Sequence, residues 1–464
     1  MSTSSHPIVV IGAGPVGLAA AAHLAERGLD FLVLEAGDSP AAAVASWGHV
    51  RLFSPWHYNI DAAARRLLEV DGWMAPDLTA LPTGGQPVGA YLEPLAKLPA
   101  LAGRIRYGAT VTAIGRDGVD RVRTAGRADT PFVIRIAGGS EILASTVIDA
   151  SGTWRTPNVL GVNGLPAHGE INAAAHIDSA LPDVLGRDRA AYAGRHTLVV
   201  GAGHSAANTL LALAELADQE SSTTISWAIR TADPTRTYGG GDADALPARG
   251  ALGTRVRTLV DSGRIQLLAG FGVGQLETDG GRVAVTARDG RTVTVDRIVS
   301  ATGFRPDHTI AAELRLDLDP VLGATRQLAP LIDPNEHSCG TVPPHGVDEL
   351  TQPEPGYYAI GAKSYGRAPT FLMATGYEQA RSVVAALAGD WDAARQVQLE
   401  LPETGVCSAS PLGEADEPSC CGTAPAAAAE DKRGLATGIS GGLLTLPLVT
   451  VGQQQASSGG SCCG

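Results

Sequence analysis

The sequence predicts an α/β fold, and three observations predict it. An apolar run, Ile8-Val9-Val10-Ile11, breaks into a glycine turn and then an alanine-rich segment. The same order recurs from Thr197 onward. With 464 residues, 44% of them hydrophobic, the chain has apolar surface enough for more than one core.

The first unit begins with a buried strand over His6–Gly12. Gly12-Ala13-Gly14-Pro15-Val16-Gly17 follows, then a helix from Leu18 to about Arg27, which Gly28 is placed to end. A second strand, Phe31–Leu34, runs into Glu35. Each glycine has a physical task. Gly12 permits the tight turn, Gly14 lets backbone approach a pyrophosphate, and Gly17 allows helix and strand to pack closely. The helix N-terminus then faces the phosphates, and Glu35 accepts from ribose hydroxyls. An acid at that place favours a ribose without a 2′-phosphate, hence FAD or NAD.

The second unit has the strand Thr197–Val200, the turn Gly201-Ala202-Gly203-His204-Ser205-Ala206, and a helix from Asn208 to about Ala217. Ala206 stands where a third glycine is usual. The next strand, Thr224–Ile229, ends in Arg230 rather than an acid. A guanidinium suits a 2′-phosphate, so this unit is read as an NADPH site; solvated surface charge is the plain alternative for Arg230. Two such sites imply a resident flavin and a nucleotide that delivers hydride.

Further segments carry a family resemblance. Ala150-Ser151-Gly152-Thr153-Trp154 and Ala301-Thr302-Gly303-Phe304 resemble the paired returns between the domains of two-dinucleotide-binding-domain flavoproteins. Gly356–Gly361 resembles their last flavin-contacting strand, and Phe371–Leu387 the helix that faces the isoalloxazine ring. Ala362 stands where the family usually has an acid. The resemblance is strongest to FMO-like, class B flavin monooxygenases and covers roughly residues 6–400. Their signature before the second glycine turn is degenerate here: Gly164 and His168 keep their spacing, but Val162 and Asn172 replace aromatics. Short segments, among them Ser364–Thr370 and Ser461–Gly464, also resemble a bacterial subgroup found with arsenic-resistance genes.

The resemblance implies two Rossmann-like three-layer domains of the glutathione-reductase kind. A split FAD domain at 1–157 and 321–400 would enclose an NADPH domain at 158–320, with a cysteine-containing, partly flexible tail at 401–464. FAD would contact Gly12, Gly14, Pro15, Gly17, Glu35, Trp47, Val111, Gly152 and Gly361. NADPH would contact Gly201, Gly203, Ser205, Ala206 and Arg230, and Gly303 is a further cofactor-binding candidate in the second return. Trp47, Arg51, Ser54 and Asn59 are the candidates for lining the flavin, with core packing the alternative for Trp47. Lys363 and Arg367 either border the flavin or are solvated.

Two chemistries compete on this fold. A disulfide reductase needs a cysteine pair beside the flavin or in the nucleotide domain. Residues 30–60 and 158–320 contain no cysteine. Oxygen then becomes the expected acceptor, and the resemblance implies a C4a-hydroperoxyflavin that oxygenates a soft nucleophile: amine, thioether or metalloid. A reductase working through tail thiols is the second reading, and a metalloid-binding flavoprotein without fast turnover the third.

Five of the six cysteines crowd the last 58 residues, including the neighbours Cys420-Cys421 and Cys462-Cys463. Reduced vicinal thiols form a soft pair suited to thiophilic metals or metalloids. The remaining expectations are broad. A net charge of −13 argues against nucleic acid as a partner. The N-terminus reads as no secretory signal, and Gly434–Val451 is interrupted by glycines and Pro447, so a membrane span is not expected. A cytoplasmic enzyme with a small-molecule substrate, as a homodimer, is the resulting picture.

Overall fold

The computed structural model describes residues 6–239, 247–337 and 342–399. All six cysteines, and with them the proposed thiol ligands and the tail, lie outside the described residues.

The chain starts with β1 (Ile8–Ile11), α1 (Pro15–Glu26), β2 (Phe31–Leu34), α2 (Ala62–Val70) and the short β3 (Ile105–Arg106). An antiparallel meander follows as β4 (Val111–Arg116), β5 (Phe132–Ile136) and β6 (Glu141–Ala144), before β7 (Thr146–Asp149). The second half of the fold has β8 (Ile177–Ser179), β9 (His196–Val200), α3 (His204–Gln219), β10 (Thr224–Ala228), α4 (Pro247–Asp261) and β11 (Gln266–Leu268). A second meander, β12 (Val273–Asp279), β13 (Arg282–Ala287) and β14 (Thr292–Val295), leads to β15 (Arg297–Ser300). The chain then returns through β16 (Tyr357–Ala359) and α5 (Met373–Leu387).

Two five-stranded parallel sheets result, in the orders β16-β7-β1-β2-β3 and β11-β10-β9-β15-β8. In the first, β1 is central, with Ile8 opposite Phe31 on one side and Thr146 on the other. In the second, β9 is flanked by β10 and β15. β1 is wholly apolar and buried, and β9 is buried from Thr197 to Val200, as strands covered on two faces must be.

Helix α1 begins three residues earlier than the sequence suggests, because Pro15 is preset for a first helical position. Its alanines, Ala19 to Ala22, are fully buried. Small side chains let α5 come close: a methyl group on Gly376 would stand 2.6 Å from Val16. Helix α5 begins at Met373, two residues later than expected, because Leu372 is extended. One buried charge network braces the first meander. Glu354 accepts from Arg116 at 2.8 Å and Arg127 at 2.8 Å, all three side chains being buried. No helix of the described residues is long and apolar enough to cross a membrane.

Candidate active site

The first glycine turn is packed from below and open above. Gly12 has φ +97°, a left-handed conformation that L side chains resist, and a methyl group there would sit 2.8 Å from the Ala150 carbonyl oxygen. A methyl group on Gly17 would stand 1.9 Å from the Gly12 carbonyl oxygen. Around Gly14, by contrast, nothing lies within 4 Å of that position. The turn thus touches the sheet at its two ends and leaves its middle clear. Helix α1 has no side-chain cap, so its first-turn amides are left for an anion.

Glu35 is buried at the end of β2. Its carboxylate accepts from the Ala13 amide at 2.6 Å and the Gly37 amide at 2.7 Å. Each oxygen keeps a further lone pair for another donor. Val111 opens β4, half-buried, opposite Ile136. Gly152 and Gly361 both have positive φ, and Gly361 lies 3.4 Å from Val16 on the first turn of α1 when given a Cβ. These residues therefore collect at the C-terminal edge of the first sheet, where parallel sheets hold ligands.

The second turn repeats the geometry with one substitution. Gly201 has φ +135°, and a methyl group there would stand 2.1 Å from the Ala301 carbonyl oxygen. Gly203 has open space around it. Ala206 is fully buried, so its methyl group fills the place that Gly17 must leave empty. Trp227 donates from its indole nitrogen to the Gly201 carbonyl at 2.7 Å and fixes the turn. Helix α3 also lacks a side-chain cap, and Ser205 lies in its first turn. Arg230 is exposed just beyond β10 and has no ion pair or side-chain hydrogen bond among the described residues.

The residues expected to line the flavin separate. Trp47 is half-buried, and its ring lies 6.2 Å from Trp154, which lies 4.9 Å from Phe304. Three connecting segments thus contribute one aromatic each to a row. Sequence reading named Trp47 for this place but not its partners. The usable signal was position: Trp154 and Phe304 follow Gly152 and Gly303 by two residues and one. Asn59 is buried and spends its amide on the Ser54 carbonyl at 2.9 Å and the Pro55 carbonyl at 2.8 Å, closing the local turn. Ser54 faces Asn59 in that turn. Arg51 is exposed and donates to the Leu81 carbonyl at 2.8 Å. It also lines a cavity of about 240 Å³ with Asn208 and Thr209 of α3.

His168 is exposed, with its backbone bonded to Gly274. Lys363, half expected at the surface, is buried with 1% of its side chain exposed and binds Asp149 at 2.5 Å. Arg367, in the same loop, is exposed. A cavity of about 940 Å³ lies against the C-terminal half of α1, and none of the residues named for either nucleotide lines it. Among the described residues no group of His, Cys, Asp and Glu is arranged to hold a metal.

A family model for pyridine nucleotide-disulphide oxidoreductases matches residues 9–339, spanning both glycine turns. The chain belongs to that family. Membership makes it a flavin-dependent oxidoreductase with two dinucleotide-binding units. Indole-3-pyruvate monooxygenase YUCCA1 of Oryza sativa subsp. japonica is 31% identical over 198 residues, 42% of this chain and 42% of that protein. The match thus spans less than half the length of this curated relative. Two solved structures are similar in fold. Bacillithiol disulfide reductase Bdr (YpdA) from Bacillus cereus has TM-score 0.59 at 18% identity, over 83% of this chain and 99% of that one. The FAD-bound cadaverine monooxygenase DfoA from Erwinia amylovora has TM-score 0.58 at 13% identity, over 86% of this chain and 99% of that one. The pyridine nucleotide-disulphide oxidoreductase fold thus serves reductases and monooxygenases alike, and side chains must decide between them.

FAD fits the first turn on structural grounds. Gly14 leaves a cradle that any Cβ would narrow, and α1 offers uncapped amides. His308 Nδ1, which feels the charges of Asp149 and Lys363, is buried and has no hydrogen-bond partner among the described residues. Such an atom is costly unless a ligand satisfies it.

Proposed function

We propose that this oxidoreductase is an NADPH-dependent, FAD-containing monooxygenase acting on a soft nucleophilic nitrogen, sulfur or metalloid. The balanced reaction takes one dioxygen, one NADPH and one proton, and returns oxygenated substrate, water and NADP⁺. The observation that carries it is the cysteine distribution. Neither segment in which a flavin-linked disulfide would be expected holds a cysteine, so electrons on a bound flavin have no thiol exit inside the core.

Bound FAD supplies the chemistry of two-electron acceptance from nicotinamide and donation to dioxygen. The chain supplies position and shelter. Gly12, Gly14, Gly17 and the N-terminus of α1 hold the FAD pyrophosphate, and Glu35 takes the ribose. Gly201, Gly203, Ser205, Ala206 and the N-terminus of α3 hold the NADPH pyrophosphate, and Arg230 takes the 2′-phosphate. The row Trp47–Trp154–Phe304 excludes water where the two connecting returns meet.

The test is oxygen uptake by FAD-loaded protein with NADPH and a panel of thioethers, tertiary amines and trivalent arsenicals, using ¹⁸O₂. Substrate-stimulated NADPH oxidation with label in the product supports the reading. NADPH oxidation that any panel member leaves unchanged, and that a disulfide stimulates, overturns it. That second outcome is what a reductase using the tail pairs Cys420-Cys421 and Cys462-Cys463 predicts. Changing Cys462 and Cys463 to Ser would then abolish the turnover.

A further inference from the structure

Asp149 and Lys363 stand 214 positions apart in sequence and 2.5 Å apart in space. Their side chains are 0% and 1% exposed. The carboxylate is fully engaged. One oxygen accepts from Lys363 and from the Tyr357 hydroxyl at 3.0 Å. The other accepts from the Ser151 amide at 3.1 Å and the Ser151 hydroxyl at 2.6 Å. The ammonium is not fully engaged. It donates to Asp149 and to Ser151 Oγ at 3.1 Å, and its third proton has no acceptor among the described residues.

The pair sits at the first glycine turn. Asp149 ends β7, and the next residue, Ala150, packs under both Gly12 and Gly17. Lys363 lies two residues after Gly361, which abuts Val16 at the start of α1. One ion pair therefore ties together the two segments that flank the turn. His308, whose Nδ1 is buried and has no partner among the described residues, lies close enough to feel the charges of both Lys363 and Asp149.

Burial of two charges is costly, and a well-packed apolar pair commonly braces a fold as well or better. Retained charge therefore points to a use for charge. Burial by itself would push the Asp149 carboxyl up, but Lys363 and Ser151 overcome it and hold the group below the usual carboxylate range. The carboxyl group of Asp149 thus persists as an anion.

We propose that Lys363 and Asp149 are positioning residues for the flavin: the free ammonium proton is offered to FAD, and the balance of the two charges sets its reduction potential. This rests on the reading that FAD occupies the first glycine turn.

The experiment uses the full-length chain stripped of flavin. FAD affinity is measured by fluorescence titration, and the midpoint potential by dye equilibration at saturating FAD. Lys363→Met and Asp149→Asn are each expected to weaken FAD at least tenfold. Their potentials should move in opposite directions. Loss of the cation makes the flavin harder to reduce; loss of the anion makes it easier. Lys363→Arg should keep the wild-type potential. The double variant Lys363→Met/Asp149→Asn removes both charges together and keeps the test open where a single variant fails to fold. It should give a potential nearer wild type than Lys363→Met. Equal potentials in every variant, or shifts of one sign, would reduce the pair to a structural brace and overturn the proposal alone. A wild-type chain that binds no FAD would overturn the reading beneath it as well.

Discussion

The two glycine turns share a plan and differ in tightness. At the first, the third glycine is compulsory, because a methyl group would stand 1.9 Å from a carbonyl oxygen. At the second, Ala206 occupies the same place with its methyl group buried. The strand-end residues differ in the same sense. Glu35 is buried and bonded to its own turn, whereas Arg230 is exposed and unpaired among the described residues. Gly203 and His204 are exposed, while Gly14 and Pro15 are half-buried. The first turn is built as part of the core, the second as a landing surface. Such a contrast suits a nucleotide that stays and a nucleotide that comes and goes.

Substitutions sharpen or break this contrast. Gly17→Ala should have the largest effect. A Cβ facing backbone has no rotamer to escape into, and overpacking costs about 1–3 kcal/mol or more. Thermal denaturation should show a fall of several degrees together with loss of flavin. Gly203→Ala, in open space at φ −92°, should leave the melting temperature within about a degree and raise KM for NADPH. Equal destabilisation by the two changes would break the comparison.

Glu35→Ala comes next. It leaves the Ala13 and Gly37 amides without their acceptor, at about 1–3 kcal/mol for a buried unsatisfied group. Chemical denaturation should register that loss, and flavin retention should fall with it. Arg230→Ala should be silent in stability and raise KM for NADPH about tenfold, the equivalent of about 1.4 kcal/mol, with KM for NADH unchanged. Parallel rises for both nucleotides would remove the arginine from the 2′-phosphate.

The smallest effect is on pH. Burial holds His308 and His345 below the ordinary histidine range, with Lys363 adding to the effect at His308. A depressed folded value means that the unfolded chain takes the proton first. Stability from these two residues is present above about pH 6.5 and is lost as pH falls below it. Melting curves from pH 7.5 to 5 should therefore move downward, and His345→Gln should shallow that slope. An unchanged slope would assign the loss to other groups.

The turns were legible because their signal is local. Strand, glycine spacing and helix lie within about thirty residues, and each glycine answers to a contact made inside that window. Their strand-end residues were legible for the same reason. The Asp149–Lys363 pair was not, since nothing in either neighbourhood names a partner 214 positions away. The aromatic row falls between these cases. Trp47 stood out by its place after the first unit, but its contact with Trp154 is set by how three loops converge. Asn59 shows the opposite error of emphasis: a polar residue at a suggestive position spends its amide on its own turn.

The return of β16 to the edge of the first sheet has a consequence for biosynthesis. Tyr357 pairs with Val147, so β7 waits for a neighbour that leaves the ribosome some 200 residues later, roughly 10–40 s at ordinary elongation rates. During that interval the nascent chain presents an apolar, parallel-pairing edge with unpaired amides and carbonyls. The interval is filled by synthesis of the whole second sheet, which can close on its own strands meanwhile. Expression of the N-terminal segment alone, ending before β16, should yield aggregated protein. Slowing translation across the second sheet should lengthen dependence on chaperones without altering the finished enzyme.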